Sequence, residues 1–257
     1  MSELSTLLFE LDRETRVATL TFNRPERLNA QDHAMQLEIL ELATELDNRD
    51  DVGAVVLTGS GRAFMAGADI AMFEQWSNES PHEVRASLRH QIIRPVIWQE
   101  LGKPVIAAVN GIAVGAGLAT LMAADFRFAS PAARFGHTAI TLGILAGPAE
   151  TAQTVRYLGR TLAAEVLLAG RLIEADEALR AGLLNRLVDA DLLLDEACSY
   201  AAQLAQLPPL GMRMAKANFA GVAQSNVDYD AEIEPFLIAM TSPQAREHFE
   251  QFLASHV

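Results

Sequence analysis

Hydrophobic positions recur along this chain with two periods, one suited to strands and one to helices. Residues 16–23, RVATLTFN, alternate around Val17, Leu20 and Phe22 and predict a strand. It stops at Arg24-Pro25, because proline cannot continue a sheet interior. The link RPERLNAQD leads into a predicted helix over 31–48, where Met35, Leu37, Ile39, Leu40, Leu42, Ala43 and Leu46 form a broad apolar face. Residues 52–58, VGAVVLT, are a near-continuous apolar run of the kind that is covered on both faces. Gly59 and Gly61 turn that strand. The segment RAFMAGADI (62–70) then crosses a second glycine-marked turn into a short helix bearing Met72, Phe73 and Trp76. Ser80 and Pro81 fit the cap and first position of a long helix that runs to about Leu101 and bends at Pro95.

Between Lys103 and Asp125 lie 21 uncharged residues. The β-branched Val105, Ile106 and Val109 open the run, Asn110-Gly111 breaks it, and Gly115 and Gly117 lead into Leu118, Leu121 and Met122. The pattern predicts a buried strand, a glycine turn and a buried helix. Three readings compete for it. A membrane span needs about 20 apolar residues in one helix, and Asn-Gly at mid-span opposes that. A dinucleotide turn needs G-x-G-x-x-G, and here Thr120 stands at the third glycine. The third reading is a helix N-terminus aimed into a site, its free N–H groups and dipole meeting a developing oxyanion.

Strands follow over 125–129 and near Arg134-Phe135. The order strand, strand, helix thus occurs twice, over 16–23, 52–58 and 68–76 and again over 104–124, and suggests stacked ββα units. Beyond the loop 136–147, helices are predicted over 148–158, 162–169 and 174–181, stopped by Gly159, Gly170 and Gly182, with a last strand over 184–188. The remainder is helical, over 190–207, 209–222, 228–241 and 243–255, and reads as a separate packing unit. Phe236, Phe249 and Phe252 need cover there, each worth roughly 1.5–3 kcal/mol when buried.

Composition narrows the function. The chain has 257 residues, 50% hydrophobic and 21% charged, so it is long enough for one large core. Its net charge of −13 repels nucleic acid and anionic membrane. One cysteine, Cys198, excludes an internal disulfide framework, and in an apolar helix it reads as a small buried residue. No zinc spacing occurs. The N-terminal MSELSTLLFELDRE has acids where a signal peptide has basic residues, which makes a cytoplasmic location the expectation.

The segments FMAGADI (64–70) and KPVIAAVNGIAVGAG (103–117) closely resemble the two signature segments of the crotonase superfamily, the enoyl-CoA hydratase/isomerase family. NRPERLNA (23–30), Phe135-Gly136 with Thr141-Leu142-Gly143, and the run from Leu167 to Leu183 resemble it as well. The resemblance implies an α/β fold, a crotonase-like spiral of ββα units over 1–190, with a helical C-terminal region over 191–257 that serves trimerisation. It implies a homotrimer or a hexamer made of two trimers. It also implies an acyl-CoA substrate, with coenzyme A bound as part of that substrate and no permanently bound cofactor. The thioester carbonyl would lie between the backbone N–H groups of Ala68 and Ala116. Coenzyme A would run past Leu28 and Ala30, along Ala66, Asp69 and Ile70, with its phosphates toward Arg24 or Arg27. An Asp at a helix start is also an ordinary cap, and Asp69 fits that role.

Three positions depart from the family pattern. The two glutamates of the hydratase branch align with Ala119 and Ala139, and a third position, acidic in some isomerases and dehalogenases, aligns with Gly147. Acid–base catalysis contributes about 10²- to 10⁴-fold, so another group is required for hydration. His137, Thr138, Thr141 and Glu150 are the nearby candidates. Glu150 is the best carboxylate, though at the third helical position it also fits a cap. His137 titrates near neutral pH, yet a lone loop histidine is ordinarily solvated. Glu74 reads as a solvated face. Met65, Met72, Trp76, Ile140, Leu142 and Leu145 are the expected acyl-pocket walls. Three functions stay open: hydration or isomerisation, another reaction such as decarboxylation or thioester hydrolysis, and a catalytically silent acyl-CoA-binding subunit.

Overall fold

The computed structural model describes residues 4–91, 97–147, 150–224, 237 and 241–255. Its strands are β1 (Leu7–Asp12), β2 (Val17–Phe22), β3 (Ala54–Gly59), β4 (Ala63–Met65), β5 (Val105–Val109), β6 (Ile112–Val114), β7 (Phe126–Ala129), β8 (Arg134–Gly136), β9 (Ile173–Glu174) and β10 (Arg186–Leu187). Its helices are α1 (His33–Asn48), α2 (Ile70–Ser77), α3 (Pro81–Gln91), α4 (Ile97–Glu100), α5 (Ala116–Ala123), α6 (Glu150–Leu168), α7 (Ala175–Arg180), α8 (Leu193–Ala205), α9 (Pro209–Gln224) and α10 (Pro243–Ser255).

Two sheets organise the molecule. The larger has the order β1-β2-β3-β5-β7-β10 and is parallel except for β1, which pairs antiparallel with β2. The smaller has the order β4-β6-β8-β9. Each turn of the spiral therefore contributes one long strand to the first sheet and one short strand to the second, followed by a helix at the short strand's C-terminal end. This corrects the expected grouping: the first full unit is β3-β4-α2 rather than the strands 16–23 and 52–58 with the helix 68–76. Three-residue strands such as β4 and β6 are too short to display a period, so they read as turns in the sequence.

Alternation along the central strands explains why they are apolar throughout. Val55 and Leu57 of β3, with Val105, Ala107 and Val109 of β5, join the main core toward α1, α5 and the small sheet. Ala54, Val56, Ile106 and Ala108 face the other way. That second face is covered by Leu193, Ala197, Ala201 and Ala205 of α8. Helix α8, in the helical stretch beyond 190, thus forms a layer against the larger sheet. Cys198, expected as a small buried residue on this helix, is half-buried.

Other corrections are local. The predicted helices 148–158 and 162–169 are limbs of α6, which breaks at Gly159 (φ 68°, ψ 161°). The strand β1 was not anticipated; only Leu7 in it is buried, so it is an edge with a faint signal. Pro95 and most of the predicted helix 228–241 lie outside the described residues. Lys216 of α9 anchors that helix: it pairs with Asp125 at 2.7 Å and donates to the carbonyls of Trp98 and Lys103. Phe249 of α10 stacks on Phe73 of α2 at 5.6 Å between centroids, as its need for cover required, and Phe236 lies outside the described residues.

Candidate active site

The C-terminal ends of β4, β6 and β8 lie side by side, and each leads into a loop that carries a candidate group. After β4 the chain passes through Ala66, Gly67 and Ala68 before Asp69 caps α2 by accepting from the Ala71 N–H at 3.1 Å. After β6, Gly115 turns directly into α5, so Ala116 is the first helical residue. After β8 comes His137.

The first loop is held by the segment 28–31. The Ala66 N–H donates to the Leu28 carbonyl (3.0 Å), the Gln31 N–H to the Gly67 carbonyl (2.7 Å) and the Asp69 N–H to the Gln31 carbonyl (2.9 Å). In this parallel pairing residues 67 and 69 present their bonding groups to Gln31, so the intervening Ala68 points its N–H to the opposite side. Segment 28–31 is itself steered by Leu28 and Asn29, both with positive φ (52° and 57°). For residues other than glycine that conformation costs energy and persists only where the surroundings enforce it. Buried Asn29 supplies the enforcement: its Oδ1 accepts from the Arg24 N–H, and its Nδ2 donates to the carbonyls of Ser60 and Ala63. Sequence reasoning passed over Asn29, whose only signal was a polar residue in a turn-like LNA.

The second loop meets the first at two glycines. A Cβ on Gly67 would stand 3.2 Å from the Val114 carbonyl oxygen, and one on Gly115 would stand 3.6 Å from the Gly67 Cα. Their φ values, 109° and 54°, are also ones that side chains rarely tolerate. Glycine at both positions brings the residues after them, Ala68 and Ala116, to neighbouring places, both half-buried. At the first turn of α5 the N–H groups have no intrahelical partner and sit at the positive end of the dipole. Unpartnered N–H groups of this kind, where they converge on one site, can stabilise a developing oxyanion.

Beside them lies a polar cluster. The Gly115 N–H donates to the Gly136 carbonyl (3.0 Å), which fixes the β8 end and His137 next to the second loop. His137 is 1% exposed, which corrects the solvated loop histidine of the sequence reading. Its Nε2 lies 3.0 Å from Thr154 Oγ1 and its Nδ1 3.4 Å from Glu150 Oε2, both on α6. Burial pushes its pKa down to about 4, so the ring is neutral at pH 7. Glu150, 9% exposed, accepts from the Gly147 N–H at 2.9 Å, the cap expected of a glutamate at a helix start. The same carboxyl also fills the space beside position 147. A Cβ on Gly147 would be 3.2 Å from Glu150 Cδ, so the glycine makes room for it.

Arg24 does not present a free guanidinium to a phosphate. It pairs with Asp69 (2.9 Å) and Asp32 (3.3 Å) and donates to the Ala30 carbonyl, which ties the helix α2 cap to segment 28–31. Arg27, the other basic residue named for that role, is exposed. Leu28, Ala30, Ala66, Asp69 and Ile70 are all half-buried around the first loop. Ala119 is fully buried on α5, while Ala139 sits on the 3-10 turn Ala139–Leu142. Of the expected apolar walls, Met72, Trp76, Leu142 and Leu145 meet in one cluster closed by Ala245 and Phe249 of α10. Met65 belongs to the main core, and Ile140 is 42% exposed.

Comparison with known proteins decides the family. The pattern described as "Enoyl-CoA hydratase/isomerase" matches residues 12–253. The chain belongs to the enoyl-CoA hydratase/isomerase family. Among curated members, the crotonyl-CoA hydratase of Syntrophomonas wolfei is 35% identical over 246 residues, covering 95% of this chain and 94% of the relative. The short-chain-enoyl-CoA hydratase of Clostridium acetobutylicum is 35% identical over 219 residues, 85% of this chain and 83% of the relative. A solved enoyl-CoA hydratase/isomerase from Pseudoalteromonas atlantica superposes with a TM-score of 0.84 at 30% identity, covering 98% of each chain. The spiral α/β fold is thus that of the enoyl-CoA hydratase/isomerase family.

Proposed function

We propose that this member of the enoyl-CoA hydratase/isomerase family hydrates a 2-enoyl-CoA thioester with a relocated acid–base group. The observation that supports the reading is the close approach of Gly67 and Gly115, the residues immediately before Ala68 and Ala116, together with the Glu150 carboxyl packed against Gly147. The two N–H groups receive the thioester oxygen as it becomes an enolate oxyanion, a contribution of roughly 3 kcal/mol per donor. Water adds to Cβ, one proton of that water passes to the Glu150–His137 pair, and the pair delivers a proton to Cα. Atoms balance, and one acid–base pair serves both transfers.

Coenzyme A runs past Leu28 and Ala30, along Ala66, Asp69 and Ile70, with its phosphates near exposed Arg27. The acyl chain enters the cluster of Met72, Trp76, Leu142 and Leu145. The exposed apolar residues Leu210, Met214 and Phe219 of α9 (71%, 60% and 66% exposed) support packing between copies, as a homotrimer or hexamer. The chain requires no bound cofactor for this reaction.

A second reading follows from the absence of carboxylates at Ala119 and Ala139: a reaction that needs enolate stabilisation but little acid–base help, such as decarboxylation. Crotonyl-CoA and a longer 2-enoyl-CoA mixed with the protein separate the two. Rapid loss of the conjugated thioester absorbance with a 3-hydroxyacyl product supports hydration. Unchanged absorbance with acyl-CoA still bound would sink it in favour of the second reading or of a silent subunit.

A further inference from the structure

Thr154 stands behind His137, and its single hydroxyl proton decides what the ring can do. Thr154 Oγ1 lies 2.7 Å from the Glu150 backbone carbonyl oxygen. Two oxygens at that distance repel unless a proton lies between them, and the carbonyl has none to give, so the Thr154 hydroxyl donates there. Its remaining contact, with His137 Nε2 at 3.0 Å, must then be one in which it accepts. Nε2 carries a hydrogen. A neutral ring has only one N–H, which leaves Nδ1 as a bare lone pair, buried and with no hydrogen-bond donor among the described residues.

That lone pair faces an oxygen, Glu150 Oε2, at 3.4 Å. Two acceptors in apposition, both buried, are unfavourable, and one proton on the line between them removes the conflict. The separation exceeds a normal N–H···O bond, and such contacts commonly tighten when substrate closes a site.

We infer that Thr154 is a positioning residue that locks His137 with Nε2 protonated, so that His137 Nδ1 and Glu150 Oε2 face each other ready to receive one proton between them as a single acid–base unit. The inference rests on the reading of Glu150 and His137 as the acid–base pair and deepens it. The pair titrates as a unit rather than as two residues. No other ionisable side chain lies on the described elements nearest it, α5, β6 and the turn 139–142. On β8, Arg134 is exposed and paired with Glu174 of β9. On α7, Glu177 pairs with Arg171, and Asp176 and Arg180 are exposed.

The direct test is the side-chain nitrogen NMR spectrum of the intact protein labelled with ¹⁵N-histidine. The signal of His137 is assigned among the six histidines by its loss in His137→Gln. The inference expects Nε2 in the protonated range at neutral pH. A bare Nε2 with protonated Nδ1 would overturn it, because Thr154 would then be the donor. Kinetics supply the second arm. Thr154→Val should lower kcat about tenfold or more, with KM for the coenzyme A thioester within twofold, and should displace the pair's limb of the pH–rate profile by a unit or more. Thr154→Ser should restore both. A Thr154→Val profile superimposable on the parent's would overturn the positioning role. The spectrum is read whether or not the protein turns over, so failure of the hydration assay leaves the tautomer result standing.

Discussion

The loops around Gly67 and Gly115 and the cluster of His137, Glu150 and Thr154 are neighbours built from different materials. The loops present backbone N–H groups, and what fixes them is the absence of side chains: both glycines hold positive φ, and a Cβ on Gly67 would press on the Val114 carbonyl oxygen. The cluster presents side chains, and what fixes it is burial with mutual hydrogen bonding across a strand end and a helix start. Backbone donors keep their chemistry whatever side chains surround them. Side-chain acids and bases depend on every neighbour, and on the proposed reading Glu150 takes the part that carboxylates at positions 119 and 139 would otherwise play.

Breaking the backbone half should give the largest effect. Gly115→Ala forces an L-residue to φ 54°, ψ −119° and places its Cβ 3.6 Å from the Gly67 Cα. Such strain costs on the order of 1–3 kcal/mol, and displacement of one donor costs about 10²- to 10³-fold in kcat. Steady-state rates with crotonyl-CoA, beside a thermal melt, check this. Glu150→Gln breaks the other half and should lower kcat about 10²- to 10³-fold. Acyl-CoA binding by calorimetry should be preserved, because the amide still accepts from the Gly147 N–H.

Asn29→Ala sharpens the contrast by loosening the support of the first loop. It leaves the Arg24 N–H and the carbonyls of Ser60 and Ala63 without that partner. We expect a loss of about 2–4 kcal/mol in denaturant unfolding with a lowered kcat. The pH dependence of stability probes the cluster. His137 has its pKa depressed from 6.5 to about 4, so between those values the unfolded chain binds a proton that the folded chain does not. Stability therefore falls as pH drops from 6.5 toward 4, by up to about 3 kcal/mol. His137→Gln should flatten that window in urea melts. Asp69→Asn should do least: the cap survives, the pair with Arg24 is lost, and stability changes by about 1 kcal/mol. KM should stay within twofold if Asp69 is a cap, and a tenfold rise would make it a ligand contact.

The two halves also differed in how far they could be read from sequence. Gly67 and Gly115 were legible because their conformation excludes other residues, and the uncharged run 104–124 marked the strand and helix that flank one of them. The long strands β2, β3 and β5 were legible from their apolar runs. The short strands β4 and β6 were not, since three residues carry no period, and without them the ββα grouping was drawn one strand early. The burial of His137 was invisible because its cover comes from Glu150 and Thr154, 13 and 17 residues on, across a helix start. The amphipathic α8 was visible as a helix, but the sheet face that it covers was not.

Exchange of the α-protons of a saturated acyl-CoA with deuterated water tests both halves at once, because it requires an oxyanion site to hold the enolate and a base to form it. Parent protein should exchange them readily, and Gly115→Ala and Glu150→Gln should each slow exchange about 100-fold or more while binding persists. Exchange at the parent rate in Glu150→Gln would contradict the account, since the base would then be some group other than the Glu150–His137 pair.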